Sequence, residues 1–307
     1  MKKVIAVILA LLFVGGYAFA QDKKDIVGLK AQAEQGDAAA MKQLGVIYHN
    51  GDGVNQDYQE ALKWYMKAAE LGNAQAFDNL GWMYHNGQGV SKDMVKALEF
   101  YRKGAEGGVS RSLNQIGWFY ENGFGGLEED YDKAAEYYLR AAEMGNRSSQ
   151  YHLGMYYAYV KHDDVEALKW FEKAASQNHV TALRVAGNMY KTGSGTEPDY
   201  KKAYEYYTKA IELAGDSWAQ AALGNMYERG LYVKKNLKKA FELYKASAEQ
   251  GNVRGQCNLG YMYANGAGVR KNLKAAREWF EKAANNKSNG DGARDDAKKA
   301  LKQLKGK

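Results

Sequence analysis

The sequence of 307 residues contains one cysteine, Cys257, and one proline, Pro198. A single cysteine excludes an intramolecular disulfide, so packing alone must hold the fold together. Proline breaks helices, so its near absence beside 34 glycines is typical of many helices joined by short glycine turns. The basic excess is small, with 43 Lys and Arg against 36 Asp and Glu. This balance favours solvated helix faces over a nucleic-acid groove.

Long apolar runs are also scarce, and the main one extends from Val4 to Val14. It follows two lysines and precedes the small residues Ala18 and Ala20. This order indicates a secretory signal peptide over residues 1–20, and the run is too short for a permanent membrane span. We therefore expect cleavage before Gln21, no integral membrane span afterwards, and a periplasmic or secreted location in a bacterium. An uncleaved N-terminal anchor is the alternative.

A repeat organises the remaining chain. One glycine recurs at intervals of 33 to 37 residues, and a tyrosine stands three positions after each one. The glycines are Gly45, Gly81, Gly117, Gly154, Gly187, Gly224 and Gly260, and the tyrosines are Tyr48, Tyr84, Tyr120, Tyr157, Tyr190, Tyr227 and Tyr263. Self-similarity at this period predicts seven stacked structural units.

The second half of each unit opens on Asp or Asn, residue types that cap a helix N-terminus. An alanine, a bulky pair and a small pair follow at spacings that trace one face of an α-helix. Each unit is thus predicted to be a helix A, a glycine turn, a helix B and a second turn, because glycine supplies the positive φ that closes a helix. The openings are Asp57, Asp93, Asp130, Asp163, Asp199, Asn236 and Asn272.

Stacking such hairpins predicts an all-α fold, an α/α solenoid with a capping helix at each end. The N-terminal cap is expected within residues 21–37, and the C-terminal cap with a basic tail within 290–307. The predicted repeats are 38–73, 74–109, 110–146, 147–179, 180–216, 217–252 and 253–289.

The residues of the first unit carry a family resemblance. They read Leu44-Gly45-x-x-Tyr48, Gly51-x-Gly53-Val54, Ala61-x-x-Trp64-Tyr65-x-x-Ala68-Ala69 and Gly72. The pattern resembles the Sel1-like repeat, a relative of the tetratricopeptide repeat, and extends over about residues 38–289. The resemblance implies a right-handed superhelix with adaptor or regulatory roles in envelope processes. Repeat four departs from the pattern, because its turn reads Tyr159-Val160-Lys161-His162.

Comparison of the seven units with one another predicts a ligand surface on helix A. Counted from the glycine, positions −5, −1, 0, +2 and +3 stay nearly constant on one side, whereas −6, −3, +1 and +4 vary on the other. We predict that this variable stripe lines the concave face and binds a partner protein, since exposed aromatic residues and Arg are typical of binding surfaces. Burial of the aromatic residues between neighbouring A helices is the alternative. The predicted binding residues are Trp82, Trp118, Tyr151, Met155, Trp218, Tyr261, Arg111, Arg184 and Arg254. Position −3 of the stripe also includes Asp78, Asn114, Ala221 and Cys257, which are not among these predicted binding residues.

Motifs for catalysis are missing, since the sequence has no G-x-S-x-G elbow, P-loop or H-E-x-x-H. His49 and His85 share a repeat position, and stacked repeats hold equivalent residues roughly 10 Å apart, too far for one zinc ion. We therefore expect no enzymatic activity, no metal and no cofactor. Cys257 is expected to be a buried, inert thiol, with a reactive or intermolecular thiol as the alternative.

The predicted function is an exported scaffold or adaptor that binds another envelope or secreted protein, such as an effector toxin or a sensor. We expect it to act as a monomer and without nucleic acid. The family resemblance adds a sharper hypothesis, an immunity or inhibitory protein against a secreted effector. One alternative is a protein that binds peptidoglycan or another envelope glycan. The other is a hydrolase, an activity reported for relatives whose repeats are stabilised by cysteine pairs, and this chain lacks those cysteines. A basic group in the last two repeats is expected to be a solvated face, with contact to an acidic partner or an anionic envelope polymer as the alternative. Its residues are Lys234, Lys235, Lys238, Lys239, Arg270, Lys271 and Lys274.

Overall fold

The computed structural model describes residues 26–288 and 292–305. Over these ranges the chain forms sixteen α-helices and no strand, which confirms the all-α prediction. The predicted signal peptide, residues 1–20, lies outside the described residues. The helices are α1 (26–34), α2 (Ala38–Asn50), α3 (Tyr58–Glu70), α4 (Ala74–Asn86), α5 (Met94–Glu106), α6 (Ser110–Asn122), α7 (Tyr131–Glu143), α8 (Arg147–Tyr156), α9 (Asp164–Ser176), α10 (Val180–Thr192), α11 (Tyr200–Ala214), α12 (Ser217–Arg229), α13 (Leu237–Glu249), α14 (Val253–Asn265), α15 (Leu273–Asn285) and α16 (Ala293–Lys305).

Helices α2 to α15 are the seven predicted pairs, in which the even-numbered helix is helix A and the odd-numbered helix is helix B. The chain forms two compact units that divide between Ser149 and Gln150, inside α8. The first unit contains α1 to α7, and the second contains α9 to α16. No helix in the described part of the chain is both long and apolar enough to cross a lipid bilayer.

Each B helix begins at the predicted cap residue. The side chain of that Asp or Asn accepts a hydrogen bond from a backbone N–H in the first helical turn. Its own backbone N–H donates to the carbonyl of the repeat's tyrosine, as Asp57 does to Tyr48 at 2.9 Å. This second contact recurs in all seven pairs at 2.8 to 2.9 Å, so it fixes the start of helix B against the end of helix A.

The recurring glycine of helix A faces the second bulky residue of helix B. A methyl group at any of the seven glycines would lie 2.4 to 2.8 Å from a ring carbon, closer than any side chain tolerates. Glycine is therefore required for the two helices to approach this closely. The facing rings, all buried, are Tyr65, Tyr101, Tyr138, Phe171, Tyr207, Tyr244 and Phe280.

Polar side chains join consecutive repeats within each unit. In the first unit, Ser112 Oγ donates to Asp78 at 2.7 Å, and Ser149 Oγ donates to Asn114 at 2.8 Å. In the second unit, the Gln250 side-chain amide of repeat six donates to the Gly215 carbonyl of repeat five at 3.0 Å. The partners of these three bonds lie 34 to 35 residues apart, about one repeat, so each bond joins one repeat to its neighbour along the chain.

Repeat four and the chain ends depart from the regular pattern. Helix α8 continues into a π-helical turn, Tyr157–Lys161, and His162 takes the left-handed conformation (φ 55°) that glycine holds at the other A-helix ends. Helix α1 buries Ile26 against the first pair. Helix α16 buries its alanines, among them Ala297, against α14 and α15. The two terminal helices thus cover apolar faces that end repeats would otherwise expose.

The Gly81→Ala variant tests the close helix approach. The added methyl would lie 2.7 Å from the buried Tyr101 ring, and we expect a loss of about 1–3 kcal/mol in unfolding free energy from overpacking. Gly28→Ala on helix α1 is the matched control, because its methyl group would have no atom within 4 Å. For this variant we expect the unfolding free energy to rise by about 0.5–1 kcal/mol, since alanine has the higher helix propensity. Urea unfolding followed by circular dichroism measures both, and equal effects would contradict the packing role of Gly81.

Candidate functional site

The variable stripe on helix A is narrower than predicted. Position −3 was expected to face solvent, and this is wrong for three repeats, in which the residue is at most 9 % exposed. Residues three apart are neighbours on a helix, so position −3 lies beside the packed glycine. That flank of helix A also packs against the next repeat, as the bond from Ser112 to Asp78 shows. The three residues are Asp78, Asn114 and Ala221.

Arg111 has an intramolecular partner. Its guanidinium forms an ion pair with the buried carboxylate of Asp78 and donates to Asn79 Oδ1 at 2.7 Å. The Asp78 carboxylate also accepts the Ser112 hydroxyl, so its buried charge is paired as burial requires. Because the Arg111 side chain is still 54 % exposed, this predicted binding residue has a structural role and also lies at the surface.

The first unit carries a row of aromatic rings across α4 and α6. Ring centroids of Trp82 and His85 lie 6.1 Å apart, those of His85 and Trp118 5.1 Å, and those of Trp118 and Phe124 5.0 Å. Trp82 is 40 % exposed and Phe124 38 % exposed, while Trp118 and His85 are half-buried. We call Trp82, His85, Trp118 and Phe124 the aromatic patch. It brings together two of the predicted binding residues on one surface.

Sequence reasoning missed two members of this patch. His85 was considered in the sequence only as a possible metal ligand, yet its ring stacks on Trp118 at an interplanar angle of 21°. Phe124 stands between Gly123 and Gly125, in a turn that holds Asp or Gln in the first two repeats. A large apolar residue in an exposed glycine turn was the signal available in the sequence.

A groove adjoins the aromatic patch in the first unit. Its volume is about 260 Å³, and Trp82 and Arg111 line it together with Val46 and His49. The His49 ring is held across the repeat boundary, with Nε2 2.9 Å from Gln88 Oε1. The groove therefore places two predicted binding residues, one aromatic and one cationic, beside the same space.

In the second unit, three predicted aromatic and apolar residues are engaged in packing. Tyr151 stacks on His179 at 4.8 Å. Met155 packs against the hydrophobic core and is half-buried. Tyr261 meets Phe280 edge-on at 4.9 Å, and its hydroxyl lies 3.5 Å from the Asp296 carbonyl of α16. These three residues thus contribute to packing beyond any role at the surface.

The other predicted residues of the second unit lie near a basic pocket. The Arg184 guanidinium stands 5.8 Å from the Trp218 ring centroid and pairs with Asp216 at 3.7 Å. Trp218 and Arg254 line a pocket of about 530 Å³. Its cations Lys191 and Arg229 were not singled out from the sequence, since they come from different repeat positions. The polar and aromatic lining consists of Asn188, Lys191, Thr192, Trp218, Asn225, Arg229, Arg254 and Asn258.

Cys257 is buried, as predicted. Burial raises the pKa of its thiol to about 12, with a further contribution from Asp296. The reactive thiolate is therefore scarce at neutral pH. Among the residues that the structure describes, no cluster of three or more His, Cys, Asp or Glu side chains is arranged to hold a metal ion.

Comparison with known proteins decides the family. The Sel1 repeat model matches residues 38–73, 78–109, 110–146, 147–179, 181–214, 219–252 and 253–288. The chain belongs to the Sel1 repeat family. Sel1 repeat proteins are protein-interaction scaffolds, and the fold is typically non-catalytic.

Solved structures of other Sel1 repeat proteins resemble this chain. A protective antigen present in uropathogenic Escherichia coli strains, displaying an SLR fold, is 37% identical with a TM-score of 0.80, over 90% of this chain and 58% of that one. The chain thus spans little more than half the length of that antigen. A Sel1 repeat protein from Oxalobacter formigenes is 32% identical with a TM-score of 0.66, over 91% of this chain and 79% of that one.

An immunity protein from Pseudomonas aeruginosa is more distant, at 23% identity and a TM-score of 0.45, over 69% of this chain and 81% of that one. A likeness at that distance has no bearing on the function of this chain. No curated protein matches the sequence.

Loss of the Arg111 guanidinium tests its structural role. In Arg111→Ala the buried Asp78 carboxylate loses its cation, and we expect the free energy of unfolding to fall by about 1–3 kcal/mol, less than for a fully buried pair because Arg111 is partly solvated. Arg102→Ala removes an exposed arginine from α5 and should leave stability nearly unchanged. The double variant Arg111→Ala/Asp78→Asn should regain part of the lost unfolding free energy, measured by urea unfolding, because no unpaired charge stays buried. A further, purely additive loss in the double variant would argue against the Asp78–Arg111 ion pair.

The pH dependence of stability tests the environment of His85. Burial lowers the pKa of His85 below 6.5, and Lys92 lowers it further. The folded chain therefore binds this proton less tightly than the unfolded chain, so stability falls as pH drops below 6.5 and levels off below the folded-state pKa. We expect an NMR titration midpoint for His85 below 6.5, and a smaller drop in the urea midpoint between pH 7 and 5 in His85→Phe than in the natural chain. Identical pH profiles for the two chains would contradict this assignment.

Proposed function

We propose that this chain is an exported scaffold that binds an envelope or secreted partner protein through the exposed residues of its A helices. Sel1 repeat proteins bind other proteins. The observation that carries the proposal for this chain is the aromatic patch of the first unit, a row of four rings in which each contacts the next and the two end rings are exposed.

The patch has the properties of a protein-binding hot spot. Single exposed aromatic residues are ordinary, but Trp82 and Phe124 expose apolar area beside rings that hold them in place. Side chains fixed by their neighbours lose little conformational entropy when a partner binds. Arg111 adds a partly exposed guanidinium at the adjoining groove, and Trp and Arg are enriched in hot spots. The fold does not need an aromatic residue there, because position +1 is Val46 in repeat one and Asn188 in repeat five.

Export is part of the proposal, supported by the basic, apolar and small-residue order of residues 1–20. Within the envelope or outside the cell, the partner that we favour is a secreted effector enzyme held by this chain as an immunity or inhibitory protein. The support for this partner is the family resemblance of the exported repeat array. We propose that the chain itself has no enzymatic activity.

Site-specific photocrosslinking tests the surface. A benzophenone amino acid at position 82 should capture a protein in the cell envelope fraction, whereas the same probe at position 95, exposed on helix B of repeat two, should not. With the captured partner purified, Trp82→Ser/Phe124→Ser should weaken binding by about tenfold or more. Val95→Ser/Leu139→Ser removes two exposed apolar residues from B helices of the same unit and should leave affinity nearly unchanged. Equal weakening by both pairs, or equal capture at both positions, would reject the patch.

Two further measurements test location and the glycan alternative. Mass spectrometry of the exported chain should give an N-terminus at Gln21, and a full-length chain found only in the cytoplasm would contradict export. Binding to purified peptidoglycan sacculi that disappears in Trp82→Ser/Phe124→Ser, without any protein captured at position 82, would favour envelope-glycan binding and reject the protein partner.

A further inference from the structure

Three successive A helices build the basic pocket of the second unit. Lys191 comes from the end of α10, Arg229 from the end of α12 and Arg254 from the first turn of α14. Among the described residues that line the pocket, none is Asp or Glu. Three cations therefore border one space of about 530 Å³ to which the lining contributes no carboxylate.

The cations act on one another across this space. Burial lowers the pKa of Lys191, and Arg254 and Arg229 lower it further. Neither Lys191 nor Arg229 forms an ion pair with a carboxylate in the described ranges 26–288 and 292–305. Like charges around a partly desolvated space repel one another, and an anion placed among them relieves that repulsion. The charge pattern therefore favours an anionic ligand.

The remaining lining favours a polypeptide over a small anion. Asn188 and Asn225 occupy the same position, +1, on consecutive A helices. The side-chain oxygen Oδ1 of Asn188 accepts a hydrogen bond from the Tyr207 hydroxyl at 2.6 Å. The two N–H groups of the Asn188 side-chain amide therefore remain available as donors to a ligand in the pocket. Amides repeated from one helix to the next match the regularly spaced peptide groups of an extended chain. The volume and the Trp218 wall also suit a segment of several residues better than one inorganic ion.

We infer that the basic pocket binds an acidic segment of the partner protein, with carboxylates held by Lys191 and Arg229, positive charge added by Arg254, and peptide groups held by the two asparagines. This inference rests on the proposed function, since it specifies the chemistry of the partner. Charge-assisted hydrogen bonds from guanidinium to carboxylate are stronger than neutral ones and directional. The pocket would therefore select both the charge and the register of the bound segment.

Calorimetric titration of the full chain tests the inference with defined probes. A blocked hexapeptide of alternating Asp and Glu should bind, and its Asn and Gln counterpart should not. Arg229→Gln/Arg254→Gln should weaken acidic-peptide binding by about tenfold or more, the loss expected for removal of charge-assisted bonds. Lys234→Gln/Lys238→Gln removes the same charge from exposed positions and should change affinity by less than about threefold, since exposed charges are screened.

A single substitution distinguishes a loss of peptide binding from a loss of folding. Arg229 is exposed in the last turn of α12, so Arg229→Gln should keep the thermal midpoint while losing several-fold in peptide affinity. If both double variants lost peptide affinity equally, net charge alone would explain the binding, and the inference that the pocket binds the peptide would be wrong. Inorganic phosphate that binds as tightly as the acidic peptide would identify a small-anion site, and a muropeptide that binds in place of the peptide would identify a glycan site. Either result overturns the inference.

The crosslinking test at position 82 is independent of these titrations. A protein captured there by a chain that does not bind the acidic peptide would reject the pocket and leave the proposed function standing. Acidic-peptide binding without capture at position 82 would support the pocket and reject the aromatic patch.

Discussion

In each of the seven helix pairs, one close contact between a glycine and an aromatic ring determines how near the two helices lie. At the Gly81 and Tyr101 contact, no room remains for a methyl group, so the separation of the two helices is set by the ring itself. The hydrogen bond from the helix B cap to the carbonyl of the repeat's tyrosine then sets where helix B begins. Together, these two constraints account for the recurring glycine and the ring that faces it, and they fix the start of helix B.

The sequence predicts this framework well because its signals are local and repeated. Glycine spacing, cap residues and helical periodicity each occur seven times, so coincidence is easily excluded. The B-helix caps are confirmed from Asp57 to Asn272. The left-handed turn at His162 was not predicted, because the sequence shows only that a glycine is missing there and not which residue takes its conformation.

The candidate site was harder to predict, and the reason is physical. Variation between repeats shows that packing does not fix the residue type, but it does not show that the residue is exposed. At position −3, the buried Asp78 and Asn114 each accept a serine hydroxyl from the next repeat. Asp78 and Arg111 lie 33 residues apart, and their ion pair gives no sequence signal. The basic pocket was missed because Lys191, Arg229 and Arg254 come from positions +4, +5 and −6 of three repeats, so no single repeat position contains the cluster.

The bonds between repeats have a consequence for how such proteins change over generations. Side-chain hydrogen bonds join neighbouring repeats at residues 34 to 35 positions apart, as Gln250 is joined to Gly215. Duplication or loss of a gene segment of one repeat length would therefore insert or remove a hairpin whose two faces already fit the flanking hairpins. The length of the array can therefore change in whole steps without new core residues. New side chains can then be selected on the added A helix while the packing residues stay as they were.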